Sequence, residues 1–509
     1  MTITDHARIA EPKTYPLGKT RPPLDLEDLP EPEEVFQVKH IGPKEAITRV
    51  IGPSLIALGI SIGSGEWLLA PLGVAGYGFV GIGWVILISA VLQTFYNMEI
   101  GRYIMATGEV PILGWARVAP GVVFWVVVSL GVLYMANIWG GWAAGAGESL
   151  YVLLTGSLVD TPGERTTARI LAFGLMLLVL AITLVGRKIS RTLELVNWGM
   201  VGFIVVTLLI VDLFVVPFST WWIALKGLVT PSLPPSGVDA TVIGGIVGYT
   251  ALASGLNWYA MNYYRDKGYG MGHRVGFIAG LVGGEQREIA YYGKTFPDTP
   301  ENARRWQRWF RLLMLDQWVV FFGGAIIGIF LTTLLISHLA GMPGEVAPTR
   351  ETMPTYAADV LSRHYGSFLY YWALLVGFFI LFSTQIGIFE ALVRNVADGL
   401  YGTSARFREL LAGDPRRFYY PYMALLAVVI GIILFQALPV RLVLISANMS
   451  NLGALIFPFL LMYLNRRLPG PARIRWWSYL ILVLNVLFFG FFFINFAFQQ
   501  VTGEPIVSF

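Results

Sequence analysis

The residues best placed to do chemistry fall in two short stretches that repeat one pattern. Gly63, Ser64, Gly65, Glu66 and Trp67 form the first. Ala253, Ser254, Gly255, Leu256, Asn257 and Trp258 form the second. Each runs Ser-Gly, then a polar side chain, then Trp, inside a segment that is otherwise apolar. A Gly-flanked break in a helix frees main-chain groups. The N–H groups that open the second half favour negative charge. The carbonyls that close the first half favour cations. Small side chains leave these groups open to a solute, so Gly63, Ser64, Gly65, Ala253, Ser254 and Gly255 form the expected substrate-binding set. Glu66 and Asn257 are expected to serve a coupling ion or the substrate itself. Trp67, Asn137, Tyr249 and Asn451 are the accessory candidates. Close helix packing is the plain alternative for Gly and Ser. An acidic side chain at mid-bilayer is harder to explain that way, because it costs at least roughly 2.5–3.5 kcal/mol and is functional by default.

The elements that must hold these residues are membrane helices. The chain has 509 residues, 55% hydrophobic and only 13% charged, against about 25% charged in soluble domains. Several apolar runs exceed the eighteen or so residues needed to cross roughly 30 Å of hydrocarbon. They lack the alternation of a barrel strand, so helices must satisfy their backbones. Eleven spans are expected, at 47–74, 80–107, 120–154, 168–186, 193–216, 241–264, 311–338, 367–394, 419–437, 441–465 and 475–499. The span at 120–154 is over-long and must tilt or project. The stretch 275–292 reads as a surface segment because it carries Glu285, Arg287 and Glu288. Before span 7, Asp298 or Thr299 can cap a helix with Pro300 at its first position, and a short interfacial helix with a basic face near lipid headgroups is expected there.

Lys and Arg distribution sets orientation. With the N-terminus inside, only Arg165, Arg169, Lys226, Arg350, Arg363 and Arg441, of 36 basic residues, fall outside. The C-terminus is then outside, and the plasma membrane is the expected location. Residues 1–45 are polar and Pro-rich and read as a cytosolic tail. The two matched breaks lie five spans apart, the signature of an inverted repeat. The expected layout is a first five-helix repeat at 46–217, an extracellular loop at 218–240, a second repeat at 241–467 and an eleventh helix at 474–500.

Several classes are disfavoured. The absence of cysteine removes disulfides, thiolate metal sites and a thiol nucleophile. The five histidines lie in tails, loops or span ends, so neither a zinc site nor a catalytic triad is indicated. An enzyme is not expected, nor a cofactor, nor a nucleic-acid partner. A monomer or weak oligomer in the lipid bilayer is expected.

The sequence resembles the Nramp family of divalent-metal transporters over most of 47–500. GPSLIALGISIGSGEW, from Gly52, is similar to the family's first helix, which opens with Gly-Pro and carries an Asp-Pro-Gly-Asn break eleven residues on. The end of span 2, from Gln93 through Gly101 to Thr107 and Gly108, is similar too. LGALIFPFLLMYLNRRLPG, at 452–470, matches in the spacing of Pro458, Arg466, Arg467 and Gly470. The resemblance implies an all-α polytopic membrane protein with a LeuT-type fold, an inverted 5+5 repeat plus an eleventh helix, working by alternating access.

The departures bear on the substrate. The family's metal-binding Asp and Asn positions hold Gly63 and Glu66, and its sixth-helix Met-Pro-His motif is replaced near Leu252, Ala253 and Ser254. Asn137 and Gly140 stand where the family has acidic residues for proton movement, and Asn451 stands where it has a Gln. Loss of the thioether removes the main device for selecting softer metals. The favoured substrate is therefore a small oxyanion such as bicarbonate, bound at the Ser-Gly pairs and coupled to Na⁺ or H⁺ through Glu66. The alternative is a divalent cation, Mg²⁺ or Mn²⁺, with Glu66 as the metal ligand. A small organic solute lined by Trp67, Tyr249, Trp258 and Tyr259 ranks third. A bulky residue at Gly255 is expected to obstruct the site with little loss of folding.

Overall fold

The computed structural model describes residues 27–184, 189–250, 252, 255–275, 293–436 and 438–507. The stretch 276–292, most of the predicted surface segment, lies outside the described residues. So do Ala253 and Ser254. Among the described residues every regular element is helical. Nine helices are long and apolar enough to cross a membrane. The other two expected spans are present with a physical reason for their weaker signal. Span 2 is a 25-residue helix, Gly83–Thr107, that buries Gln93, Asn97, Glu99 and Arg102. Span 6 is divided into Ala240–Tyr249 and Leu256–Lys267.

Interruptions define this fold. Span 1 runs as α-helix over Pro53–Ser61, leaves the helix at Ile62, and resumes through a wide π turn at Gly65–Leu69 into Ala70–Tyr77. Span 3 is two helices, Val122–Asn137 and Gly141–Thr155, which explains its excess length. They join at Gly140, whose φ of 68° is a conformation that suits glycine. A side chain there would strike Ile430 and Leu434 of span 9. Pro458 inside span 10 cannot donate to the carbonyl four residues before it. The Asn485 amide of span 11 donates to that Ala454 carbonyl at 2.9 Å.

Two expectations change at the chain's polar end. The segment before span 7 is a helix capped by Thr299, with Pro300 at its first position, as the residues imply. However, it continues through a π segment at Asp316–Phe322 into Gly323–Ala340 without a break. It is an extension of span 7 and not a separate interfacial helix. Its face is covered by the stretch 27–36, part of the predicted free tail. Trp309 donates to the Pro30 carbonyl at 2.8 Å, Arg305 to that of Leu29 at 2.8 Å, and Arg308 pairs with Glu31 at 2.6 Å. Leu29 is fully buried beneath them. The expected loop at 218–240 contains a helix, Phe218–Val229, whose Gly227 packs against Gly83.

The second half of span 6 is fixed by buried charge. Arg394 of span 8 donates to Asp266 at 2.5 Å and faces Asp398 and Glu390 at 3.6 and 3.9 Å. Arg265 lies 3.3 Å from Asp266 and 3.5 Å from Asp398. Glu390 accepts from Tyr263 at 3.0 Å and Tyr419 at 2.9 Å. Spans 6, 8 and 9 are thereby joined. Breaking a buried pair by removing one partner leaves an uncompensated charge and costs about 3–5 kcal/mol. Arg394→Met is expected to lower unfolding stability by that amount in a thermal or denaturant melt. A loss under about 1 kcal/mol would show that the network does not anchor span 6.

Candidate functional site

The break in span 1 brings its own cap. Ile62, at φ −74° and ψ 81°, takes the chain out of the helix. The N–H of Gly63 is then outside the helical ladder, and the Glu66 carboxylate accepts it at 3.1 Å. The helix resumes when the N–H of Trp67 reaches the Gly63 carbonyl at 2.9 Å. Span 7 holds the widened turn, because Thr332 donates to the Glu66 carbonyl at 2.7 Å. Glu66 is 1% exposed, so its carboxylate sits in a setting where charge is expensive.

The break in span 6 lies between Tyr249 and Leu256. Thr250 is extended, at φ −65° and ψ 120°, and Gly255 starts the second half at φ 84°. A side chain at Gly255 would meet both a strained backbone and Leu133 of span 3 at 2.6 Å. Obstruction without folding loss, as expected from sequence, is therefore the wrong expectation for this position.

The two breaks touch. A Cβ placed on Gly65 would lie 2.8 Å from the Tyr249 carbonyl oxygen and Cβ. One placed on Gly63 would collide with the Thr384 hydroxyl of span 8. Between them lies a cavity lined by Ile60, Ser64, Gly65, Glu66, Tyr249, Leu252, Leu256, Thr384 and Ile388. Its water-accessible space is about 10 Å³, near the minimum for one water. Among the described residues that line it, Glu66 is the ionisable side chain apart from the Tyr249 phenol, and none is basic or sulfur-bearing. The Ser64 hydroxyl is buried without a hydrogen-bond partner among the described residues. Thr384 lies 3.4 Å from the Ile60 carbonyl. The polar lining is thus oxygen.

The other predicted residues divide. The Asn257 amide nitrogen donates to Gln93 at 2.6 Å and Asn97 at 2.8 Å, both in span 2, while its oxygen is buried with no partner among the described residues. Asn451 donates to the Gly244 carbonyl at 3.0 Å, tying span 10 to the first half of span 6. Trp67 is packed against Gly377 of span 8. Trp258 lies edge-on to Trp115 and Phe457, as a packing residue would. Asn137 closes the first half of span 3 through the Leu133 carbonyl. Arg102 pairs with Glu99, so neither it nor Arg394 is a counter-charge to Glu66. Among the described residues no cluster of three or more His, Cys, Asp or Glu could hold a metal.

Sequence reasoning missed Thr384 and the charge network. The network had a signal: Glu390, Arg394 and Asp398 recur every four residues, on one face of a spanning helix. Thr384 had none, since one hydroxyl in an apolar span is ordinary. Span 5 also buries Asp212, whose carboxylate has no donor among the described residues.

No family model and no curated protein matches the chain. Solved structures do. The Eremococcus coleocola manganese transporter, in complex with an aromatic bis-isothiourea substituted compound, matches with a TM-score of 0.58 at 15% identity, over 91% of this chain and 89% of that one. A mutant of the same transporter matches at 0.56 and 14%, over 100% and 93%. MhsT in complex with L-phenylalanine matches at 0.54 and 13%, over 87% and 97%. The fold is of the LeuT type. The inverted five-helix repeats and the eleventh helix expected from sequence are therefore present, and this LeuT-type chain is an all-α polytopic membrane protein.

The contact between breaks can be tested sterically. Gly65→Ala must push span 1 away from Tyr249, and is expected to abolish site closure. Spin labels on spans 1 and 6 should report a lengthened distance. An unchanged distance would mean that the two breaks do not meet.

Proposed function

We propose that this protein is a secondary-active transporter working by alternating access, with its solute held between the breaks of spans 1 and 6. One observation carries the reading: two membrane helices are interrupted where they touch, and Glu66 faces the space between them. Irregular backbone inside a bilayer is tolerable only where protein or a cavity covers it, and paired breaks are where transporters of this architecture bind. The near absence of space around Glu66 fits a closed state, as alternating access requires. The fold shared with a manganese transporter is in keeping with this.

The geometry favours a hard cation at Glu66 over a lone oxyanion. The Gly63 N–H that an oxyanion would need is already taken by Glu66. Glu66, Ser64, Thr384 and the Ile60 carbonyl offer oxygen, which suits Na⁺ or partly hydrated Mg²⁺ better than a metal seeking sulfur or imidazole. Mg²⁺ thus ranks above Mn²⁺ as a divalent substrate. Bicarbonate moving with Na⁺ or H⁺ remains the second reading. The unpartnered Ser64 hydroxyl favours it, and a cation on Glu66 would remove the repulsion. The N-terminus faces the cytoplasm of a plasma membrane on the positive-inside argument.

Uptake into liposomes, with labelled bicarbonate beside Mg²⁺ and Mn²⁺, decides between these readings. Saturable cation-dependent flux is expected, and Glu66→Gln should reduce it roughly 10- to 100-fold, the worth of one charge-assisted contact. Wild-type flux in that variant would remove Glu66 from the mechanism. Anion uptake without any cation requirement would reverse the ranking. The orientation has its own test, because the chain holds no cysteine. An impermeant maleimide applied to intact cells should label Lys226→Cys and spare Arg466→Cys, and the opposite pattern would invert the topology.

A further inference from the structure

A second polar cavity lies at the end of the bundle where spans 3 and 4, 7 and 8, and 9 and 10 are joined. It holds about 150 Å³ and is lined by Glu148 of span 3, Asp160, Arg165 and Arg169 at the start of span 4, and Arg350 and Glu351 between spans 7 and 8. Its charges are incompletely matched. Arg350 is held by Asp239 at 2.6 Å. Arg165 and Arg169 form no ion pair with a carboxylate among the described residues. One carboxylate oxygen of Glu148 is buried with no hydrogen-bond donor among them. Two guanidinium groups thus share the pocket with a carboxylate whose charge they feel but which they do not bond.

The pocket opens onto a trough of different character. Arg169 also lines an apolar groove of about 450 Å³ between spans 4 and 9, formed by Ile170, Phe173, Val428, Gly431, Ile432 and Phe435. The Arg169 guanidinium lies 5.1 Å over the Phe435 ring, at the junction of the two spaces. Gly431 keeps the trough deep, since a Cβ there would reach within 3.0 Å of Phe173. Ile170 and Ile432 are 60% and 63% exposed, and on a spanning helix that exposure is to lipid. Span 4 begins at Pro162. Arg169 is seven residues further on, about 10 Å along the axis, which is headgroup depth.

We propose that this paired site binds one phospholipid with an amino headgroup, phosphatidylethanolamine. Its phosphate meets Arg165 and Arg169, its ammonium donates to Glu148, and one acyl chain lies in the trough. Guanidinium groups take phosphate bidentately. The carboxylates select among lipids. A purely anionic head would bring unbalanced negative charge against Glu148, Asp160 and Glu351. A choline head has no N–H to offer the buried Glu148 oxygen. An ammonium satisfies both conditions.

The test uses the full chain, delipidated in detergent, with native mass spectrometry and thermal unfolding as readouts. Titrated phosphatidylethanolamine should remain bound as one copy and raise Tm. Phosphatidylcholine, phosphatidylglycerol and soluble phosphoethanolamine should each bind at least tenfold more weakly. Arg169→Gln should abolish the retained lipid, and Glu148→Gln should erase the preference over phosphatidylcholine. Ile432→Trp fills the trough from the lipid side, leaves the polar pocket intact, and should also expel the lipid. Variants are compared only where elution and lipid-free Tm match the wild type. Equal retention of all three lipids, equal stabilisation by phosphoethanolamine alone, or retention unaffected by Ile432→Trp would each overturn the proposal.

Discussion

A main-chain N–H or C=O buried in lipid has no water to turn to, and this protein's architecture depends on how that demand is met wherever a helix stops short. Several interruptions carry a side chain that closes them. Glu66 takes the N–H freed at Gly63. Thr332 supplies the carbonyl of the widened turn that follows. Asn485 serves the carbonyl that Pro458 abandons. Asn448 and Asn451 donate to the Thr241 and Gly244 carbonyls of the first half of span 6. Some polar residues of these spans therefore serve the backbone, while others, the Ser64 hydroxyl among them, have no partner among the described residues.

The two halves of span 6 share span 2, where Ser89 donates to the Val247 carbonyl of the first half at 2.8 Å, and otherwise differ in their ties. The first half is fastened to span 10 by asparagine amides, and small residues there allow close approach: a Cβ on Gly248 would strike the Ala447 carbonyl. The second half is fastened to span 2 through Asn257 and to spans 8 and 9 through the Asp266, Arg394 and Glu390 network. Extended backbone at Thr250 and a left-handed glycine at Gly255 lie between. The span thus changes most of its ties across a non-helical joint, the kind of position where a change in φ and ψ is absorbed when packed groups move.

Most of the fold was legible in the sequence, because it rests on signals that act locally. Span length is set by hydrocarbon thickness, and the Ser-Gly pairs mark breaks through backbone freedom alone. The site was legible in part. Gly65 and Tyr249, named separately from sequence, lie against each other, and Glu66 lines the space beside them. The partner of Asn257 was not legible, since which of several buried amides it meets is decided by packing across some 160 positions of chain. The second interruption, at Gly140, left only a glycine pair as its trace, and an over-long span was read as tilt. The stretch 27–36 looked like a free tail because its polarity and prolines are those of a linker. What orders it is the aromatic and basic face of the helix at 300–315, a feature distant in sequence.

That docked stretch sits on one end of a long continuous helix. Span 7 is helical without a gap from Pro300 to Ala340, so Trp309, gripped by the Pro30 carbonyl, and Thr332, bonded to the Glu66 carbonyl, are joined by 23 residues of helix, about 35 Å. The path runs through the wide π turn at Asp316–Phe322, and a tilt imposed at residues 27–36 reaches the Glu66 main chain to the extent that this turn transmits it.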